Sequence, residues 1–202
     1  MSEKGILFNG AMVRAIIAGN KTHTRRPFRK PYEIHANGYI TRPRGNERLC
    51  PYIQRYEVGD YLYVRETYGW NGCLCCGIHY QATEPQWKKN SMSPLSRWYP
   101  SIHMPKSASR LWLEVLVSAW EPVAEITEES ARKEGIPDTY EEALAIFGKE
   151  FLLDRPANVW SDSSVIDNFA WVWDRCYGNG AFKRNEPVEV YAFKQIEVSH
   201  ES

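Results

Sequence analysis

The stretch Arg110-Leu111-Trp112-Leu113-Glu114-Val115-Leu116-Val117-Ser118-Ala119 alternates with a period of two. Leu111, Leu113, Val115 and Val117 fall on one side, the signature of a half-buried strand. Downstream the pattern changes to helical. Thr127 precedes Glu128 and Glu129, a cap followed by the acids that a helix N-terminus favours, and Gly135 stops that helix. Thr139 and Glu142 predict a capping box for a second helix in which Ala143, Phe147 and Phe151 share a face. A third helix is predicted over about 162 to 177, burying Phe169, Val172, Trp173 and Cys176, and a closing strand over 187 to 196. Upstream, the Gly59-Asp60 turn leads into a strand at 61 to 66, and 78 to 83 reads as a weaker one. A helix at about 10 to 18 is capped by Asn9, carries Met12, Val13, Ile16 and Ile17 as its stripe, and ends at Gly19. Strands at the two ends of the core with helices between them predict an α+β fold with a mixed or antiparallel sheet. The irregular order argues against a parallel doubly wound sheet.

The rest of the chain is consistent with one domain over 1 to 202, carrying loop insertions at about 28 to 56 and 84 to 108. The first insertion is rich in Pro, Arg, Gly and Tyr, with at most a short hairpin near Asn37-Gly38. A hydrophobic fraction of 43%, with 8 Trp and 12 Tyr, excludes a disordered chain. No apolar run approaches the ~18 residues of a membrane span, and no signal-like apolar segment follows the N-terminus. A cytoplasmic location without a membrane partner is therefore expected. Five Cys, three of them within 73 to 76, do not form the framework of a stapled secreted domain.

Net charge is zero, yet it is unevenly placed. Residues 11 to 55 hold ten basic side chains against Glu33 and Glu47, a local balance of 10 − 2 = +8. Such a section can bind phosphates, and it can equally be a solvated basic face.

Directly after the Gly19 stop comes Asn20-Lys21-Thr22-His23-Thr24-Arg25-Arg26, a run of donors and hydroxyls unlike a core-building segment. Further pieces follow in order: Gly59-Asp60 into Val64-Arg65-Glu66-Thr67, then Met104-Pro105 with Ser109-Arg110, then 126 to 135, then Asn185-Glu186-Pro187 before the last strand. Together they resemble the ASCH superfamily, in its longer-looped phage and prophage branch, across nearly the whole chain. The resemblance implies a small PUA-like β-barrel with flanking helices and long loop insertions. It also implies an RNA-related role and kinship with amidohydrolases that deacetylate N4-acetylcytidine. Those enzymes use a Lys and a Thr of a G-x-K-T-x-T segment and a Glu on the helix after the long strand. Lys21, Thr24 and Glu134 stand at those positions, in a longer chain with a more basic context.

The chemistry is coherent. A Thr hydroxyl needs a base to become a nucleophile. Lys21 can serve when neutral, and Arg25 and Arg26 favour that state, whereas a carboxylate beside it opposes it. A Glu can pass protons to a leaving amine. Because positions three apart on a strand face opposite ways, Lys21 must sit in the turn before the strand to converge with Thr24. The same residues can instead only bind a phosphate or a base edge.

Arg25, Arg26, Arg65 and Arg110 are candidates for gripping phosphate, and Glu66 for accepting from an exocyclic amine. An ordinary ion pair is the plainer account of Arg65 and Glu66. Trp98 and Tyr99, in a polar Pro-rich loop, are candidates for stacking on bases. Cys73, Cys75, Cys76 and His79 have the spacing of a structural zinc site, with Cys50 as an alternative ligand, and equally of a hairpin of reduced thiols. The function expected from these features is binding of RNA, DNA or a modified nucleoside or nucleotide. Hydrolysis of a modified cytidine, or service as a phage-derived protein-binding accessory factor, are the alternatives.

Overall fold

The computed structural model describes residues 2–36, 40–44, 48–70, 77–90 and 93–197. The first half runs β1 (Glu3–Leu7), α1 (Gly10–Ile17), β2 (His23–Pro27), β3 (Glu33–Ile34), β4 (Ile40–Arg44), β5 (Arg48–Pro51), β6 (Tyr61–Arg65), β7 (Tyr68–Trp70), β8 (His79–Tyr80), α2 (Trp87–Asn90) and β9 (Arg97–Tyr99). The second half runs β10 (Trp112–Pro122), α3 (Glu128–Lys133), α4 (Tyr140–Phe147), α5 (Ala157–Asp162), α6 (Val165–Tyr177) and β11 (Pro187–Ile196). The fold is α+β. Its main sheet has five strands in the order β1-β6-β10-β11-β2, parallel between β1 and β6 and antiparallel elsewhere. No helix of the described residues is long and apolar enough to cross a membrane.

β10 is the spine of this sheet, pairing with β6 through its first residues and with β11 along its length. Leu113 and Val115 are fully buried, as the alternation predicts, but Val117 is 48% exposed. The cause is a register shift against β11 between Val115 and Val117, which breaks the alternation at that point. The strand expected at 78 to 83 shrinks to the two residues of β8 and joins β7 and β9 in a separate small sheet. The insertion at 28 to 56 is more ordered than its composition suggests. It holds the three-stranded sheet β3-β4-β5, with Ile34 opposite Ile40, and the expected Asn37-Gly38 turn lies outside the described residues.

Two apolar clusters flank α1. Val13 and Ile16 pack with Ile6, Leu62, Val64, Leu113, Tyr191 and Phe193. Ala11 and Ala15 face the helical layer of Ala131, Ala143, Phe147, Trp160, Phe169 and Val172. Ile17, expected in the first contact, sits in the last turn and is 45% exposed. The third predicted helix is α6, which starts at Val165 rather than about 162, because Ser164 caps it with a reciprocal capping box to Asp167; α5 before it was not predicted. Cys176, expected in the core, is exposed.

Candidate functional site

Two helix endings build the site. At the end of α1, the Gly19 amide donates to the Ile16 carbonyl and the Asn20 amide to the Ala15 carbonyl, both 2.9 Å, with Gly19 at φ 76°. At the end of α3, the Gly135 amide donates to Arg132 (2.8 Å) and the Ile136 amide to Ala131 (3.2 Å), with Gly135 at φ 87°. Each is a Schellman turn, in which a left-handed glycine satisfies the last helical carbonyls and reverses the chain. The two turns meet: Lys21 forms an isolated antiparallel bridge with Glu134, and the Thr22 amide donates to the Lys133 carbonyl at 2.8 Å.

Lys21 and Glu134, 113 positions apart, are thereby brought into contact. Lys21 Nζ donates to Glu134 Oε2 at 2.6 Å and to the Glu134 carbonyl at 2.9 Å, with both side chains buried. Arg25 Nη1 donates to the other carboxylate oxygen, Oε1, at 3.1 Å. The rest of the Arg25 fork grips Glu121 Oε1 from Nε (2.8 Å) and Nη2 (2.7 Å). Burial pushes the Lys21 ammonium below its ordinary value. Glu134 opposes this through charge and hydrogen bond, while Arg26 and Arg25 reinforce it.

Thr24 is 3% exposed and lines the same cleft, and its hydroxyl has no hydrogen-bond partner among the described residues. Arg26 also lines the cleft, with its guanidinium 4.8 Å from the Phe8 ring centroid and Nη2 donating to the Leu7 carbonyl at 2.6 Å. Its buried Nε has no protein partner among the described residues. The facing wall is α6, whose Phe169, Val172, Trp173, Cys176 and Tyr177 recur at helical spacing. The cleft is small, with a cavity volume of about 80 Å³, and it opens to solvent. It is therefore polar and donor-rich on the β2 side and aromatic on the α6 side.

The structure brings Lys21, Thr24, Arg25, Arg26 and Glu134 together, with Lys21 in the turn before β2 as the side-chain geometry requires. It places the other candidates elsewhere. Arg65 donates to the Met104 and Ile102 carbonyls. Glu66, 1% exposed, receives a two-pronged grip from Arg110 at 2.9 and 3.0 Å, so both charges have internal partners. Arg110 also lies 4.0 Å from the Tyr80 ring centroid. Trp98 packs edge-on against Trp87, and Tyr99 stacks on Tyr68 at 5.2 Å, which ties these rings into the small sheet of β7 to β9. His79 bonds Glu84 at 2.7 Å and stacks on Trp87. Cys73, Cys75 and Cys76 lie outside the described residues, among which no group of three or more His, Cys, Asp or Glu side chains could hold a metal ion.

The sequence reading missed the α6 wall, Phe8 and Glu121. The signal for α6 was present, since its apolar stripe was legible, but that stripe reads as core. Phe169, Val172 and Trp173 are indeed buried there, and the same stripe extends past the core to Cys176 and Tyr177 at the cleft.

No family model and no curated protein matches this chain. Among solved structures it is similar to protein EF3133 of Enterococcus faecalis V583, described under the family DUF984. The identity is 13% and the TM-score 0.36, over 100% of this chain and 85% of that one. A likeness of this size carries no argument about function.

Proposed function

We propose that this chain is a PUA-like protein of the ASCH kind whose cleft binds a nucleoside or nucleotide and hydrolyses an acyl amide on its base. The observation that carries the reading is the convergence of unpartnered donors beside a buried Lys–Glu pair. The Thr24 hydroxyl and Arg26 Nε lack protein partners among the described residues, while both oxygens of Glu134 are occupied. Lys21 Nζ has two acceptors for three protons. Such a cleft offers donors and asks for an acceptor, which suits a carbonyl carried on a planar ring resting against Trp173 and Tyr177. The sheet of the described residues is open between its edge strands β1 and β2; the barrel reading is supported by Arg26, whose side chain ties β2 to the end of β1.

In the proposed reaction the unprotonated form of Lys21 takes the Thr24 proton as Oγ1 attacks the acyl carbon. The C–N bond breaks, the amine leaves with the proton from Lys21, and an acyl ester remains on Thr24. Water then cleaves that ester, releasing the carboxylic acid and restoring the hydroxyl. Arg26, which lines the same cleft, is assigned the stabilisation of the developing oxyanion. The test is incubation with N4-acetylcytidine and chromatography of the products. Turnover is expected, and Lys21→Met should lower it by ~100- to 10,000-fold with the circular dichroism spectrum unchanged. A wild-type protein that neither binds nor cleaves the nucleoside would overturn the proposal.

A second reading, binding to an RNA polymer, is favoured by one observation. Arg29, Lys30 and Arg42, around the β3–β4–β5 sheet, are exposed. It predicts an affinity that falls steeply with salt.

A further inference from the structure

Glu134 is held from two sides. Lys21 takes Oε2, and Arg25 takes Oε1 with a single nitrogen while its other two nitrogens close on Glu121. The four side chains form a chain of alternating charge, Lys21–Glu134–Arg25–Glu121, whose formal sum is zero. Lys21, Arg25 and Glu134 are buried, and Glu121, 29% exposed, is its outlet to solvent. Arg25 was a candidate for touching ligand, but its geometry is inward.

We propose that Arg25, locked in place by Glu121, is a positioning residue: it reserves one oxygen of Glu134 and so sets how tightly the other holds the Lys21 ammonium. Lys21 can act as a base only after losing a proton, and an undivided carboxylate 2.6 Å away would retain that proton. Arg25 divides the carboxylate's charge between two cations. This is also why a Lys in contact with Glu can still serve the proposed reaction, on which the inference rests. The other titratable or charged groups around Lys21 are His23 and Arg26 on β2, Lys133 at the end of α3, and Cys176 and Tyr177 on α6. None of these is hydrogen-bonded to the Glu134 carboxylate among the described residues.

The test does not need turnover. Full-length protein labelled with 13C at lysine Cε is titrated by NMR, the Lys21 signal being assigned by its loss in Lys21→Met. Arg25→Met should raise the Lys21 midpoint, because it removes a like charge that disfavours the ammonium. Arg25→Lys, which keeps the charge but not the fork, should return most of the shift. Glu121→Gln, at the solvent end, leaves Arg25 more positive and should lower the midpoint by a few tenths. In N4-acetylcytidine hydrolysis the acid limb of the kcat profile should move in parallel. KM should change less than kcat, because Arg25 faces Glu134 rather than the ligand. A Lys21 midpoint unmoved in both Arg25→Met and Glu121→Gln would overturn the inference while leaving the proposed function standing. Absence of wild-type turnover together with the expected midpoint shifts would leave the positioning role intact and refute the reaction.

Discussion

Replacing Glu134 by Gln tests the buried pair most directly. The substitution keeps the side chain's shape and the backbone carbonyl that Lys21 also contacts at 2.9 Å, and it removes only the charge. With Lys21 at 1% and Glu134 at 6% side-chain exposure, solvent cannot replace the lost partner. Two unit charges at about 4 Å attract by about 4 kcal/mol at an effective dielectric of ~20. Breaking a buried pair from one side typically costs ~3–5 kcal/mol. For Lys21→Met the loss should be smaller, about 2–3 kcal/mol, because Glu134 keeps Arg25 at 3.1 Å and is not left alone. Urea unfolding at pH 7 of the two single variants and the double variant gives both losses and their coupling. The Glu134→Gln melting temperature should fall by about 6–20 °C for a chain of this length. The pH dependence has a fixed sign. The folded-state Lys21 titrates below its unfolded value, so the unfolded chain binds more protons in the window between the two. The burial penalty is fully present below that window and is relieved as pH rises through it toward ~10.4. Glu134 raises the Lys21 value, so its removal extends the window downward, and Glu134→Gln should regain stability relative to wild type as pH rises. Losses that simply add within about 0.5 kcal/mol, or a Lys21→Met loss exceeding that of Glu134→Gln, would refute this reasoning.

Two further outcomes are expected. At Asp60, burial pushes the carboxyl up but is outweighed by hydrogen bonds from Lys4, Ser2 and the Glu57 amide, which hold it well below its usual range. Asp60→Asn should therefore cost about 1–3 kcal/mol at pH 7, a cost that shrinks as pH falls below ~4; urea midpoints at pH 7 and pH 3 that differ equally from wild type would contradict this. Gly135→Ala meets both a left-handed backbone and the Cβ atoms of Ala15 and Lys21, at 3.0 and 3.2 Å. It should lose at least about 1–2 kcal/mol and disturb Lys21 directly, so an unchanged urea midpoint would count against the Schellman geometry.

Much of the fold was legible because it rests on local rules. Asn9, Thr127, Thr139 and Ser164 cap helices in the structure. Of these, Ser164 escaped the sequence reading, which starts that helix about three residues early. β11 spans the predicted 187 to 196 because its apolar run is bounded by Pro187. The edges of the sheet were harder. β1 carries one fully buried residue, Ile6, and so has no alternation to read, while β2 is mostly polar, its buried side chains being Thr24 and Arg25. Such strands are recognisable only from the ladders they complete. Val117 failed for the related reason that a bulge is a property of two strands, and one strand's sequence does not contain it.

The site divides along the same line. Lys21 and Glu134 meet because each sits beside the left-handed glycine that ends a helix, Lys21 two residues after Gly19 and Glu134 immediately before Gly135, where the chain reverses. The electrostatic reading was poorer. Ten basic side chains between 11 and 55 suggest a cationic surface, yet at least four of them, among the described residues, act inside the protein. Arg14 holds the Ile146 and Ala82 carbonyls, Lys21 and Arg25 hold Glu134, and Arg55 pairs with the fully buried Glu189. A charge count measures composition, whereas attraction for a polyanion depends on which charges remain in solvent. The charges left in solvent form a smaller basic face than the composition suggests, and the proposed small ligand would instead enter one cleft. There Arg26 and Thr24 keep unpartnered donors at hand, beside a lysine whose charge the protein has already balanced.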